Sequence, residues 1–238
     1  MTEWKERLIF NFIENDRWKY LWDGLGVTLR VTFLALVLGI CIGVLVSIIR
    51  STYDKNGKDM KMGTGKVILI ILDAISRVYL TVIRGTPVVV QLMLIYYVVM
   101  ASSTNKILVA TIAFGLNSGA YVAEIFRSGI MSIDQGQFEA GRSLGFNFVQ
   151  TMRYIIIPQA FKNVLPALAN EFIVLLKETS VSGYVALHDL TKGGDIIRSR
   201  TYDAFMPLLG VAVIYLVMVM FFTYLVGILE RRLRNSER

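Results

Sequence analysis

The sequence predicts an all-α, polytopic membrane protein with five transmembrane helices and a cytoplasmic helical loop between the third and fourth. Of 238 residues, 55% are hydrophobic and the mean hydropathy is +0.56. These residues gather in long runs rather than in strand-like alternation. Val31 to Ile49 carries no charge, and Phe205 to Leu229 is a 25-residue uncharged run. As helices these runs would extend roughly 28 and 37 Å, against a hydrocarbon core of about 30 Å.

The elements follow in chain order. Residues 1–23 spread Trp4, Leu8, Phe12, Trp18 and Trp22 among charges, which fits an amphipathic, interfacial segment with tryptophans near the headgroups. It is longer and less basic than a cleaved leader, and the first apolar run lacks a small-residue cleavage site. Crossing one is Val31 to Ile49, where Gly39 and Gly43 make a small-x3-small face suited to close helix packing. Residues 51–66, with Asn56-Gly57, Met62-Gly63 and four lysines, read as a flexible cytoplasmic loop. Val67 to Ile83 would cross alone if Asp73 and Arg77 paired at i,i+4. The preferred reading makes it a cytoplasmic-side or interfacial approach to crossing two, Val78 to Ala101, joined through a kink at Gly85-Thr86-Pro87.

Crossing three, Ile107 to Phe126, carries Asn117 and Glu124. Crossing four, Gln159 to Leu176, is interrupted by Pro166 and Glu171. Polar groups at membrane depth are costly against lipid, so these residues are expected to face protein or a water-filled cavity. Phe205 to Leu229 is crossing five, leaving 231–238 as a cytoplasmic tail. No low-complexity linker marks a second, soluble domain.

Charge gives the expected orientation. The pieces 50–66, 127–162 and 230–238 together carry net +7, whereas 1–24, 102–106 and 177–203 sum to zero. The positive-inside tendency therefore puts the N-terminus outside and the C-terminus in the cytoplasm. A sixth crossing would put the basic 50–66 loop outside. The overall basic excess is explained by anchoring near anionic lipid, and nothing calls for a nucleic-acid partner. Cys41 and His188 are the only residues of their kinds, so neither a disulfide within the chain nor a Cys/His metal cluster is expected. No glycine-rich loop ends in Gly-Lys-Ser/Thr, so the chain is not expected to hydrolyse ATP.

The loop 127–160 has a pattern of its own. Phe138, Gly141, Leu144, Gly145, Phe148, Met152 and Ile155 recur at three- and four-residue intervals, which gives a short helix an apolar or small face. Gly145 is placed to end one helix in a close turn, and Pro158 to start or kink the next. Glu139 can orient such a knob through a hydrogen bond or salt bridge. By periodicity alone, an ordinary amphipathic linker explains the segment equally well.

The combined motifs sharpen the reading. Glu139-Ala140-Gly141-Arg142-Ser143-Leu144-Gly145 followed by Ile155-Ile156-Ile157-Pro158 resembles the cytoplasmic coupling loop of ABC importer permeases. With Gly24, Thr28-Leu29, Thr32, Arg84-Gly85-Thr86-Pro87, Gln91, Asn117-Ser118-Gly119-Ala120-Tyr121, Ala123-Glu124, Arg127, Gly136-Gln137 and Leu176-Lys177-Glu178-Thr179-Ser180, the chain is similar, over roughly 24–230, to the histidine, glutamate, glutamine, arginine and opine permeases. The family's loop begins Glu-Ala-Ala and later has Leu-Pro. Gly141, Ile157 and, for a frequent leucine, Val181 are mild departures.

The resemblance implies a permease domain over 24–230 in a prokaryotic inner membrane. It implies a second copy or a related permease, two cytoplasmic ATPase subunits that hold ATP and Mg²⁺, and an extracytoplasmic solute-binding protein delivering a polar amino acid. This chain would bind no cofactor and do no catalysis. Glu139, Ala140, Gly141, Gly145 and Pro158 would couple it to the ATPase. For the solute path, amide and carboxylate groups can meet both ends of an amino acid, which nominates Asn117, Glu124 and Gln91, then Thr86 and Tyr121. Glu124 paired with Arg127 would instead be a structural lock. Lys177-Glu178 would lie at the external end of crossing four. A secondary amino-acid transporter or channel subunit without an ATPase is the alternative.

Overall fold

The computed structural model describes residues 2–56 and 62–235, all helical or in short connections. The N-terminal segment begins with α1 (Thr2–Leu8), which continues as a π-turn through Ile9–Ile13. The chain then enters α2 (Trp18–Asn56), a helix unbroken at position 24. Lys58, in the 51–66 loop, lies outside the described residues, as does the end of the 231–238 tail from Ser236. The tail's earlier part continues the last helix.

After α3 (Thr64–Gly85) the expected kink is present. Pro87 has extended backbone and forms the N-cap of α4 (Val88–Leu94), which widens into a π-turn over Ile95–Val99. Proline suits this position because the first helical amides need no partner within the helix. α5 (Lys106–Met131) is followed by the short helices α6 (Gln135–Ser143) and α7 (Phe148–Thr151). A π-turn over Met152–Ile156 leads into α8 (Ile157–Glu178), with Pro158 in its first turn. A 3-10 turn (Thr179–Val185), α9 (Leu190–Thr201) and α10 (Phe205–Asn235) complete the chain.

Three described helices, Trp18–Asp54, Lys106–Met131 and Phe205–Leu233, are long and apolar enough to cross a membrane, and Val88–Val99 is a shorter apolar helix. The surface of α10 fits cover by lipid or by another membrane subunit rather than by water. Leu209, Val213, Leu216, Val217, Met220 and Phe221 are all exposed on it, a continuous apolar face that a water-surrounded monomer rarely carries. α3 also exposes an apolar stripe, Ile68, Ile71, Ile75, Val78 and Val82. Its Asp73 accepts from Arg77 Nε at 2.8 Å and from Arg50 Nη1 at 2.8 Å, so the pairing that a separate crossing would require is present.

The chain divides into two compact units. The first comprises Met1–Val37, Thr86–Gly115 and Phe172–Leu225. Its main core packs Val31 and Ala35 of α2, Leu92 of α4, Ala113 and Phe114 of α5 and Leu175 of α8. A second cluster joins Leu21, Leu190, Ile197 and Val211. Glycine permits the closest approaches there: a Cβ on Gly24 would lie 2.5 Å from the Asp189 carbonyl oxygen, and one on Gly193 2.4 Å from that of Tyr20.

The second unit comprises Leu38–Gly85, Leu116–Glu171 and Val226–Arg238. Here the small-residue face of α2 meets α5 as expected: a Cβ on Gly39 would lie 2.9 Å from Ser118 Oγ, and one on Gly43 2.5 Å from a Val122 methyl. Val122 packs with Val164 and Leu168 of α8, and a separate cluster of Ile130, Phe138, Ile156 and Ala160 roots the loop between α5 and α8.

Candidate functional site

Asn117, Tyr121 and Glu124 fall at i, i+4 and i+7 on α5, so one helical stripe carries all three. Asn117 is 2% exposed, Tyr121 is exposed and Glu124 is half-buried. Glu124 lies between two arginines. Arg127 Nη2 donates to its Oε1 at 2.7 Å, while Arg84 Nη1 stands 3.8 Å from its Oε2. The Arg84 guanidinium also lies over the Tyr121 ring, 5.8 Å from its centroid. The pairing with Arg127 foreseen as a lock is therefore present, and Arg84 is a second partner that the sequence motif held without revealing. The three side chains carry a net +1, an electrostatic setting that favours anionic groups.

Gln91 and Thr86 form their own constellation, in the other unit. Gln91, 7% exposed, donates from Nε2 to the Thr86 hydroxyl at 2.8 Å and to its carbonyl at 3.0 Å. One side chain thereby clamps the turn at which α3 gives way to α4. In the same unit Lys177 is exposed and Glu178 half-buried at the end of α8, and the Thr32 and Thr179 hydroxyls lie 3.4 Å apart.

Sequence reasoning saw Glu171 only as an interruption of crossing four. In the structure it is 8% exposed and accepts a 2.8 Å hydrogen bond from Ser118 Oγ. Next to it along α5, the Tyr79 hydroxyl of α3 donates to the Leu116 carbonyl at 2.6 Å, and a Cβ on Gly119 would meet that hydroxyl at 2.8 Å. Only the Gly39 spacing hinted that this part of α5 would be tightly packed.

The loop after α5 is built by caps. Asp134 accepts from the Gly136 amide at 2.7 Å to start α6. α6 ends in paired bonds from Gly145 N to Arg142 O, 2.9 Å, and from Phe146 N to Gly141 O, 3.0 Å, with Gly145 at φ +78°. This is the left-handed helix stop that favours glycine. A reciprocal capping box between Asn147 and Gln150 then starts α7.

The periodic face of the loop is divided. Phe138 and Gly141 are buried, and a Cβ on Gly141 would lie 2.6 Å from a Thr151 side-chain carbon, so these positions hold α6 on α7. Glu139, Ala140 and Leu144 are outward, Leu144 being 70% exposed, while Pro158 is exposed at the start of α8. The result is a rigid tip whose outer surface mixes a carboxylate with small and apolar groups. At its base Gln159 donates to Gln137 at 3.1 Å and Asn163 to Ser132 at 2.9 Å, beside a polar hollow of about 410 Å³.

No group of three or more His, Cys, Asp or Glu suited to a metal ion occurs among the described residues. The geometry offers a polar stripe on α5 and a capped, internally packed loop between α5 and α8.

Known proteins share this architecture. A solved structure described as an amino acid ABC transporter with histidines superposes with a TM-score of 0.79 at 41% identity, covering 90% of this chain and 94% of that one. The putative glutamine transport system permease protein GlnP of Rickettsia typhi (strain ATCC VR-144 / Wilmington) is 34% identical over 217 residues, 90% of this chain and 93% of that protein. The arginine transport system permease protein ArtQ of Bacillus subtilis (strain 168) is 33% identical over 221 residues, 92% of this chain and 94% of that protein. The family model described as the inner membrane component of binding-protein-dependent transport systems matches residues 63–235. With that match and two relatives aligned along nearly their whole lengths, the chain belongs to the family of binding-protein-dependent transport system inner membrane components.

Proposed function

We propose that this chain is the transmembrane permease subunit of an ATP-driven importer for polar amino acids. The observation that carries the reading is the α6–α7 loop: a capped, internally packed tip that projects Glu139, Ala140 and Leu144 while burying Phe138 and Gly141. A rigid tip transmits displacement by contact, which a flexible linker does not. Two cytoplasmic ATPase subunits would grip it, and the energy of ATP would enter there. The relatives' names support amino acids as the cargo class.

The assembly comprises this chain with a second copy or a related permease, the two ATPases with their ATP and Mg²⁺, and an extracytoplasmic solute-binding protein. Five crossings with the N-terminus outside and the C-terminus in the cytoplasm agree with the charge distribution. The Asn117, Tyr121 and Glu124 stripe, with Arg84, forms one stretch of the solute path, and Thr86 with Gln91 another. A solute carried between opposite-facing states needs contacts that differ between those states, and charged side chains able to exchange partners meet that need.

Reconstitution in vesicles tests the reading. The permease, its ATPase and an amino-acid-loaded binding protein are combined, and ATP hydrolysis is followed with amino-acid uptake. Uptake that requires ATP, together with hydrolysis stimulated by the loaded binding protein, is the expected result. Uptake driven by an ion gradient without any ATPase would establish the secondary-transporter reading instead.

A further inference from the structure

Helix α9 is held rigidly from within. Its buried side carries Leu190, Gly193, Gly194, Ile197 and Thr201; a Cβ on Gly194 would lie 2.4 Å from a Val211 methyl. Asp189 caps its start, accepting from the Lys192 amide at 3.0 Å. The outward side carries an ion-pair ladder: Lys192 Nζ to Asp195 at 2.8 Å, then Asp195 to Arg198 Nη2 at 2.5 Å. The stripe through Asp195 and Arg198 leads, at i+7, to Tyr202.

Tyr202 is 96% exposed and has φ 56°. A bulky residue with left-handed backbone is uncommon and strained, and such strain gathers where orientation matters for function. Both neighbours are fixed. The Thr201 hydroxyl donates to the Ile197 carbonyl at 2.9 Å. Asp203 caps α10 through the Phe205 amide at 3.0 Å and holds α1 and the π-turn after it through Arg7 at 3.0 Å and Asn11 at 3.0 Å. The turn itself would be made more easily by glycine or asparagine. Tyrosine there supplies an exposed side chain between two neighbours tied by hydrogen bonds.

We propose that Tyr202, with Arg198, anchors the extracytoplasmic solute-binding protein, an inference that rests on the orientation and transport function proposed above. Rigid tyrosine and arginine are the residue types that concentrate binding energy in protein interfaces. The described side chains of α9 carry two more positive than negative charges, so the complementary surface is an acidic rim around a hollow that admits a phenol ring. A bilayer would also accept an exposed tyrosine, but a fluid headgroup layer makes no use of a fixed orientation or of a charged ladder beside it.

The test compares Tyr202→Asn, Tyr202→Phe and Arg198→Ala with the unchanged chain in the vesicle system. The readout is the concentration of loaded binding protein that half-maximally stimulates ATP hydrolysis. Tyr202→Asn relieves the backbone strain, so thermal stability should hold or rise while this concentration increases at least fivefold. Arg198→Ala should increase it more strongly at low salt than at high salt, and Tyr202→Phe should stay within twofold. An unchanged half-maximal concentration in Tyr202→Asn overturns the anchor while leaving the transport reading intact. No stimulation of the unchanged complex overturns both. A fluorophore on Tyr202→Cys, in a Cys41→Ala background, should be shielded by the binding protein; quenching by nitroxide lipids with no response to that protein would assign Tyr202 to the bilayer.

Discussion

Ser118 Oγ donates a 2.8 Å hydrogen bond to Glu171 Oε1, tying α5 to α8 through two buried side chains 53 positions apart in sequence. A net contribution of about 1.5–3 kcal/mol is typical for a bond to a charged group, and about 1 for a neutral pair. Ser118→Ala should therefore lower the thermal midpoint of the purified assembly by several degrees, taking about 2–4 °C per kcal/mol for a chain of this size. Glu171→Gln keeps an acceptor oxygen and should lose less. An unchanged midpoint in Ser118→Ala would mean that the bond contributes nothing to the fold.

Glu124 has two arginine partners, yet its side chain is about a third exposed. Ion pairs this open contribute only about 0–1 kcal/mol to stability. Glu124→Gln should accordingly leave membrane insertion and assembly near normal while import falls at least tenfold. The two are measured together, with several amino acids. Parallel loss of assembled complex and uptake would make the carboxylate a structural lock.

The features legible in the sequence were those set by local chemistry. Gly145 was marked as a helix stop because only its neighbours determine the turn, and the Gly85-Pro87 break follows from proline's missing amide. Gly39 and Gly43 announced a close helix contact, although not that Ser118 and Val122 would fill it. Pairings across long separations were not legible: Glu171 with Ser118, or Arg50 with Asp73, depends on which helices become neighbours. Periodicity also grouped Phe138 and Gly141 with Leu144. The fold separates them because Thr151, Ile156 and Ala160 cover the inner part of that face, and a one-dimensional pattern cannot say where a second short helix will lie.

Asp189 supplies a pH dependence with a definite sign. Burial pushes its carboxyl from an ordinary 3.8 up to about 6, against the lowering effect of the α9 amides it caps. The folded chain therefore binds this proton more tightly than the unfolded chain. Stability from this group is fully present below pH 3.8, declines as pH rises toward 6, and stays reduced above that, by on the order of 3 kcal/mol. Asparagine caps a helix as well as aspartate does, so Asp189→Asn should keep α9 formed and flatten the decline. Hydrogen exchange of α9 amides between about pH 4.5 and 7, corrected for intrinsic rates, measures it. An equal pH slope in both proteins would assign the effect to other groups.

Orientation is read by labelling single cysteines placed in a Cys41→Ala background in intact cells. A membrane-impermeant reagent should reach Lys192→Cys on α9 and should not reach Arg232→Cys near the end of α10. Lys58→Cys should likewise stay unlabelled. External labelling at position 58 would reverse the charge-based topology and restore Val67–Ile83 as a separate crossing.

The coupling tip separates two kinds of damage. Glu139 is exposed, so Glu139→Ala should change stability by no more than about 0.5 kcal/mol. Its loss should weaken ATPase recruitment and ATP-dependent import together. Gly145 has open space where a Cβ would sit, so substitution there meets the backbone penalty alone, about 1–2 kcal/mol at φ +78°. Gly145→Leu should disturb coupling more than Glu139→Ala, because it both strains the stop and adds bulk beside the exposed Leu144. Gly141→Leu should be the most severe: the added side chain has no room against Thr151 and must push α6 off α7. Recruitment, ATP turnover and import are compared across the three in vesicles. Normal recruitment with full import in both Glu139→Ala and Gly145→Leu would remove the α6–α7 tip from the coupling path.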